Sequence, residues 1–144
     1  MRKRPPLRPA PPCPLRLVHW ATPKLDAYRA LFRRVGEPWL WVSRLLLSDA
    51  ELSAEINAPG VTIHAVLDPH GIEVGLLELD RRAMPDVEIR YFALVPELAG
   101  KGFGRWLMAH ALAMAWSNGV ERVWLHTCTL DAPGALGFYI KNGF

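Results

Sequence analysis

One stretch constrains this chain more than any other. From Val87 to Gly119 it reads as strand, glycine loop and helix in immediate succession. Val87-Glu88-Ile89-Arg90-Tyr91-Phe92-Ala93-Leu94-Val95 is the strand, broken by Pro96-Glu97. The loop is Ala99-Gly100-Lys101-Gly102-Phe103-Gly104, and a helix is expected from Arg105 to about Asn118, closed by Gly119. Glycines let the backbone turn tightly and approach a ligand without Cβ clashes. The first helical turn then points unpaired N–H groups and the positive dipole end into the same space. That arrangement is an anion site, most simply for phosphates. Two nucleotide motifs are excluded. The spacing Gly-x-x-x-x-Gly-Lys-Ser/Thr does not occur, and Arg105 stands at the third glycine of Gly-x-Gly-x-x-Gly.

The rest of the composition bounds the setting. A chain of 144 residues can bury one core, with about two-thirds of its unfolded surface removed from water. No apolar run approaches the ~20 residues needed to span a membrane, and the first residues lack the apolar segment of a secretory signal. Cys13 and Cys128 are far apart and have no Cys or His at metal-ligand spacing, so the expectations are no metal and a reducing cytoplasm. The net charge of +3 sits in the leader: Arg2, Lys3, Arg4 and Arg8 fall in the first fourteen residues with six prolines and no acid. From Leu15 onward, 13 basic residues face 14 acids. Residues 1–14 are therefore expected to form a disordered, dispensable leader, and nothing in residues 15–144 calls for nucleic acid.

Periodicity supplies the remaining elements. Leu15–Trp20 reads as a strand. Thr22-Pro23 reads as the start of a helix carrying Leu25, Tyr28, Leu31, Phe32 and Val35 and stopping at Gly36. Ser48-Asp49-Ala50-Glu51 has the form of a capping box opening a helix to about Ile56. Val61–Leu67 and Ile72–Leu79 are strands of a hairpin turning at Asp68-Pro69-His70-Gly71. Val120–Thr129 is a further strand, and Pro133–Asn142 a last helix.

The glycine stretch resembles the acyl-CoA-binding motif of the GNAT superfamily of N-acetyltransferases, Arg/Gln-x-x-Gly-x-Gly/Ala. Gly102 and Gly104 match, and Ala99 departs at the Arg/Gln position. The preceding Leu-Val-Pro-Glu and the later Phe138-Tyr139-Ile140-Lys141-Asn142-Gly143-Phe144 are also similar to the family, as is the order of elements over residues 15–144. The resemblance implies an α/β fold of the α+β kind. It has a mixed, mostly antiparallel twisted sheet, helices on both faces and splayed central strands. Family members continue with about two more strands after this Gly-Phe, which would leave Val120–Thr129 with a bare edge open to chain exchange and make a homodimer one expected assembly.

The same resemblance implies the activity: transfer of an acetyl group from acetyl-CoA to the primary amine of a small molecule or peptide. Leu94, Val95, Ala99, Gly100, Lys101, Gly102, Phe103, Gly104 and Arg105 would bind the cofactor, with the Leu94 amide polarising the thioester carbonyl. Tyr139 matches the tyrosine that protonates the departing sulfur; a phenol of pKa about 10 holds its proton at neutral pH. Glu88 and His126 are the candidate bases. Glu88 alternates with Arg90 and Phe92, so all three are expected on one face. If Arg90 simply pairs with it, Glu88 is structural. His126, on a strand, has packing as its plainer role. Trp39, Trp41 and Tyr28 could line an apolar acceptor pocket or pack in the core. Ala132 stands where relatives carry a polar residue. With Ala99, it keeps open a second function: a CoA-binding module without turnover.

Overall fold

Each face of the central sheet buries its own set of side chains, and the two sets fix where the helices lie. The computed structural model describes residues 1–6 and 9–144; Arg8, one of the leader cations, lies outside the described residues. The elements are β1 (Arg16–Trp20), α1 (Leu25–Gly36), α2 (Asp49–Ile56), β2 (Val61–Leu67), β3 (Glu73–Asp80), β4 (Asp86–Leu94), α3 (Phe103–Ala115), β5 (Arg122–Leu125) and α4 (Ala135–Lys141). The strands pair in chain order, antiparallel except for the parallel pair β4–β5. One face packs Leu77, Leu79, Val87 and Ile89 under Leu107, Met108 and Ala111 of α3. The other packs Ile63, Ala65 and Leu76 under Tyr28, Phe32 and Val35 of α1 and Leu52 and Ile56 of α2.

Most elements fall where the sequence places them, and the differences have local causes. α1 begins at Leu25 rather than Pro23, because Lys24 stays extended and its carbonyl closes the first turn with the Tyr28 amide. Gly36 does not end it abruptly. The chain runs on through a 3-10 turn at Glu37–Trp39, and a Cβ on Gly36 would lie 2.5 Å from Cβ of Trp41. That glycine serves close approach of an indole. The capping box of α2 is complete: Glu51 N–H donates to the Ser48 hydroxyl and Ser48 N–H to the Glu51 carboxylate. α3 starts two residues early, on Gly102 in the left-handed conformation, and ends at Ala115 because Trp116 leaves helical geometry to cover the core.

Two expectations need correction. β5 is four residues long, not ten. Its β-rich sequence continues, but beyond Leu125 the partner strand has diverged and residues 127–131 bond among themselves. Nor is the leader detached from the domain. The Met1 ammonium donates to the Val123 carbonyl at 2.8 Å and Val123 N–H donates to the Met1 carbonyl at 2.9 Å. Met1, Ala10 and Cys13 pack on the α3-side core. The outer edge of β5, expected bare, is thus paired at Val123. Among the described residues no helix is long and apolar enough to cross a membrane.

Candidate active site

The site begins with one surplus residue. On β4, Tyr91 pairs with Glu78 and Ile89 with Leu79, leaving Arg90 without a partner on β3. Such a bulge bends its strand and sharpens the local twist. The parallel pairing of β4 with β5 ends at Ile89 and Leu125, one residue before the bulge. From there the two strands part, and a cavity of about 700 Å³ lies between them.

The bulge also resets alternation. Before it, Val87 and Ile89 face α3; after it, Phe92 and Leu94 do, while Tyr91, Ala93 and Val95 face α1 and α2. Phe92 therefore does not share a face with Glu88 and Arg90, as simple alternation implied. It lies against the rings of Phe138 and Tyr139, whereas Tyr91 meets Trp41 and Phe32. The cavity consequently has two unlike halves.

The α3 half is built from backbone. Gly100 and Gly102 have φ of 75° and 80°, the left-handed region that favours glycine. Gly102 caps α3 without any side chain to satisfy the first amides; the Arg105 N–H donates back to the Gly102 carbonyl, which leaves those of Phe103 and Gly104 as donors at the cavity rim. Of the expected cofactor residues, Leu94, Val95, Ala99, Gly100, Gly102, Gly104 and Arg105 line the cavity. Lys101 and Phe103 do not: Lys101 is exposed and Phe103 packs against the α3-side core. Val95 N–H donates to the Val74 carbonyl of β3. Because donors alternate sides along a strand, the Leu94 amide points the opposite way, into the gap left by β5. Pro96 has no amide hydrogen to offer. Tyr139 lines this half, and burial, with Asp131 adding to it, pushes its phenol up to about 12. Asp131 itself accepts from the Thr127 hydroxyl and the Cys128 amide.

The α1/α2 half is built from side chains. Trp39, Trp41, Tyr91, Arg90 and His126 line it. Tyr28, a candidate for the same wall, is instead fully buried and donates its hydroxyl to Glu78 at 2.9 Å. A chain of charges runs along this face. Arg44, 3% exposed, donates to Glu78 and Glu55; Arg82 bridges Glu55 and Asp80; Arg90 donates to Asp80 at 3.0 Å. Burial pushes the Glu78 carboxyl up, opposed by the Arg44 guanidinium. Asp80 is held below the usual carboxylate range, because hydrogen bonds from Arg82 and Arg90 outweigh its burial. Glu88 lies at the end of this chain, 3.8 Å from both Arg90 and His126, which line the cavity while Glu88 itself sits behind them. The two candidate bases are therefore neighbours. His126 is not a core-strand residue: its side chain is 79% exposed, one position past β5.

The sequence reading did not single out Arg44, Glu78, Tyr91 or Asp131 for a part in the site. The first two carried a signal: a lone arginine in Trp41-Val42-Ser43-Arg44-Leu45-Leu46-Leu47 and a lone carboxylate in Gly75-Leu76-Leu77-Glu78-Leu79. Charges set in apolar runs are buried only when paired.

A mixed sheet parted at its one parallel pair, beside a helix opened by glycines, defines an acetyltransferase fold. The chain belongs to the acetyltransferase (GNAT) family, whose model matches residues 25–144. Solved structures share the fold at low identity. An aminoglycoside acetyltransferase from an uncultured soil metagenomic sample, in complex with sisomicin, superposes with a TM-score of 0.71 at 17% identity, over 91% of this chain and 88% of that one. A spermidine N-acetyltransferase chimera from Vibrio cholerae SpeG and hSSAT gives 0.68 at 22% identity, over 91% and 80%. A PaiA N-acetyltransferase from Thermoplasma acidophilum, in complex with coenzyme A, gives 0.63 at 17% identity, over 90% and 89%. Comparison with curated proteins finds no match.

Proposed function

We propose that this chain is an acetyl-CoA-dependent N-acetyltransferase that moves the acetyl group directly to the primary amine of a small molecule. The observation that carries this reading is the gap between β4 and β5. It is edged by a strand with an outward-facing amide at Leu94, and it ends at a glycine-capped helix start. An extended pantetheine fits such a gap as an added strand, held by main-chain bonds. Its pyrophosphate then meets the amides of Gly100–Gly104, with the Arg105 guanidinium beside them. Loss of the family's Arg/Gln at Ala99 removes a side chain from that pocket but none of the backbone donors.

The chemistry divides between the two halves. The acceptor amine, once neutral, attacks the thioester carbon, whose carbonyl oxygen takes the Leu94 N–H as the carbon–sulfur bond breaks. Tyr139 gives its proton to the leaving thiolate; its elevated pKa keeps that proton in place at neutral pH. The acceptor nitrogen sheds two protons: that of the ammonium goes to Glu88 or His126, directly or through water, and the one released on C–N bond formation returns through water to the Tyr139 phenolate. Neighbours with the same fold carry names of enzymes acting on aminoglycosides and spermidine, which supports an amine acceptor. Thiol release from acetyl-CoA across an amine panel, with CoA binding followed by calorimetry, is the test. Tight CoA binding with no release from any amine would replace this reading with that of a CoA-binding module.

A further inference from the structure

We infer that the acceptor is a primary monoamine with an apolar, preferably aromatic, body, and not a polyamine or other polycation. This rests on the transferase reading above and concerns the α1/α2 half of the same cavity. Four carboxylates lie along that face of the sheet behind the cavity wall, and three are already committed. Glu78 accepts from Tyr28 and Arg44, Glu55 from Arg44 and Arg82, and Asp80 from Arg82 and Arg90. Among the described residues, Glu88 alone of the four has no hydrogen bond closer than its two 3.8 Å ion-pair contacts. One open carboxylate suits one ammonium. A second ammonium on the ligand would meet the Arg90 guanidinium, which lines the same wall and is itself a third exposed.

The remaining surface is aromatic. Trp39 and Trp41 are half-buried on the cavity wall, and the Tyr91 ring packs against Trp41 at a centroid distance of 5.3 Å. The outer face of Tyr91 is not free to cradle a cation, because Arg44 already lies 5.4 Å from its centroid and Ser43 shares a hydrogen bond with its hydroxyl. The wall therefore offers flat aromatic area and no carboxylate among its lining residues on this side. The carboxylate on the opposite loop, Asp131, has one oxygen taken up by Thr127 and Cys128 and stands by Tyr139, on the side of the leaving sulfur. An acceptor thus places its nitrogen by His126, with the Glu88 carboxylate 3.8 Å behind that imidazole, and lays its body across the indoles.

The test is thiol release from acetyl-CoA with 2-phenylethylamine, ethylamine, spermidine and an aminoglycoside, each at matched free concentration. The expected order of kcat/KM puts 2-phenylethylamine at least about tenfold above the other three, as one stacked ring contact is worth about that factor. Trp41→Ala and Trp39→Ala should each shrink the 2-phenylethylamine-to-ethylamine ratio by about fivefold to tenfold, through KM. Trp41 also packs on Gly36 and Phe32, so its variant risks the fold; Trp39 belongs to neither core, and its variant keeps the test decisive. Preference for spermidine or the aminoglycoside, or an unchanged ratio in Trp39→Ala, overturns this inference while leaving the transferase reading intact. No release from any of the four, with CoA still bound, overturns both.

Discussion

The two halves of the cavity are held together by different physics. On the α3 side the polar groups turned toward the cavity are main-chain amides, placed by two left-handed glycines and a strand that has lost its neighbour. On the α1/α2 side they are side chains drawn from α1, the segment after it, α2, β3, the turn after β3 and β4, locked by guanidinium–carboxylate contacts. The first half depends on conformations that few residues can adopt. The second depends on partners far apart in sequence, and should fail when any one partner is removed.

Removing Arg44 should have the largest effect. Arg44→Met leaves Glu78 buried without its cation and is expected to cost about 3–5 kcal/mol of stability. Chemical denaturation would show it, and adding Glu78→Leu should recover much of the loss. Tyr139→Phe comes next, with a fall of about 10²-fold or more in the chemical rate at every pH and little change in CoA affinity, read by single-turnover kinetics. Gly102→Val should follow, because a β-branched residue at φ of 80° carries about 1–3 kcal/mol of strain, expected as weaker CoA binding by calorimetry in a folded protein. Gly104→Ala is the control on that half: its Cβ would make ordinary contact with the Phe138 ring at 3.5 Å, so affinity should hold. Equal losses at 102 and 104 would break the distinction between strain and space.

This difference also decides what could be read from the sequence. The glycine loop and its helix were legible because local chemistry fixes them: Gly100 and Gly102 need nothing distant to adopt a left-handed turn. The capping box at Ser48 and Glu51 was legible for the same reason. Arg44, Glu78 and Tyr91 gain their roles only when five segments converge, and no spacing announces that. Alternation along β4 misled because it assumes an unbroken ladder, and the bulge at Arg90 breaks it. Likewise, strand propensity ran on past Leu125 because propensity does not register that β4 has turned away.

Two smaller effects sharpen the contrast. Glu88→Gln should lower the rate most at low pH and fade as pH rises, since a neutral amine then needs no base; a loss independent of pH would make Glu88 a packing residue. His64 lies outside the cavity, and its effect belongs to the scaffold alone. Burial, with His19 and Arg81 adding to it, lowers its pKa from 6.5 to about 4. The unfolded chain therefore binds a proton there that the folded one refuses, and stability should decline as pH falls from about 6.5 to about 4. His64→Asn should flatten that part of a stability–pH curve without moving CoA affinity.

The bulge makes the opening a matter of counting rather than of chemistry. Deleting Arg90 would leave Ile89 opposite Leu79 and Tyr91 opposite Glu78, so every side chain of β4 would keep its face and its neighbour on β3. What would go is the slack that lets one strand bend away from the other. Substitution at that position keeps the surplus length and alters only the charge beside Glu88 and Asp80. Excision shortens one rail of a two-rail track, and the gap between the rails closes while the core beneath stays as it was.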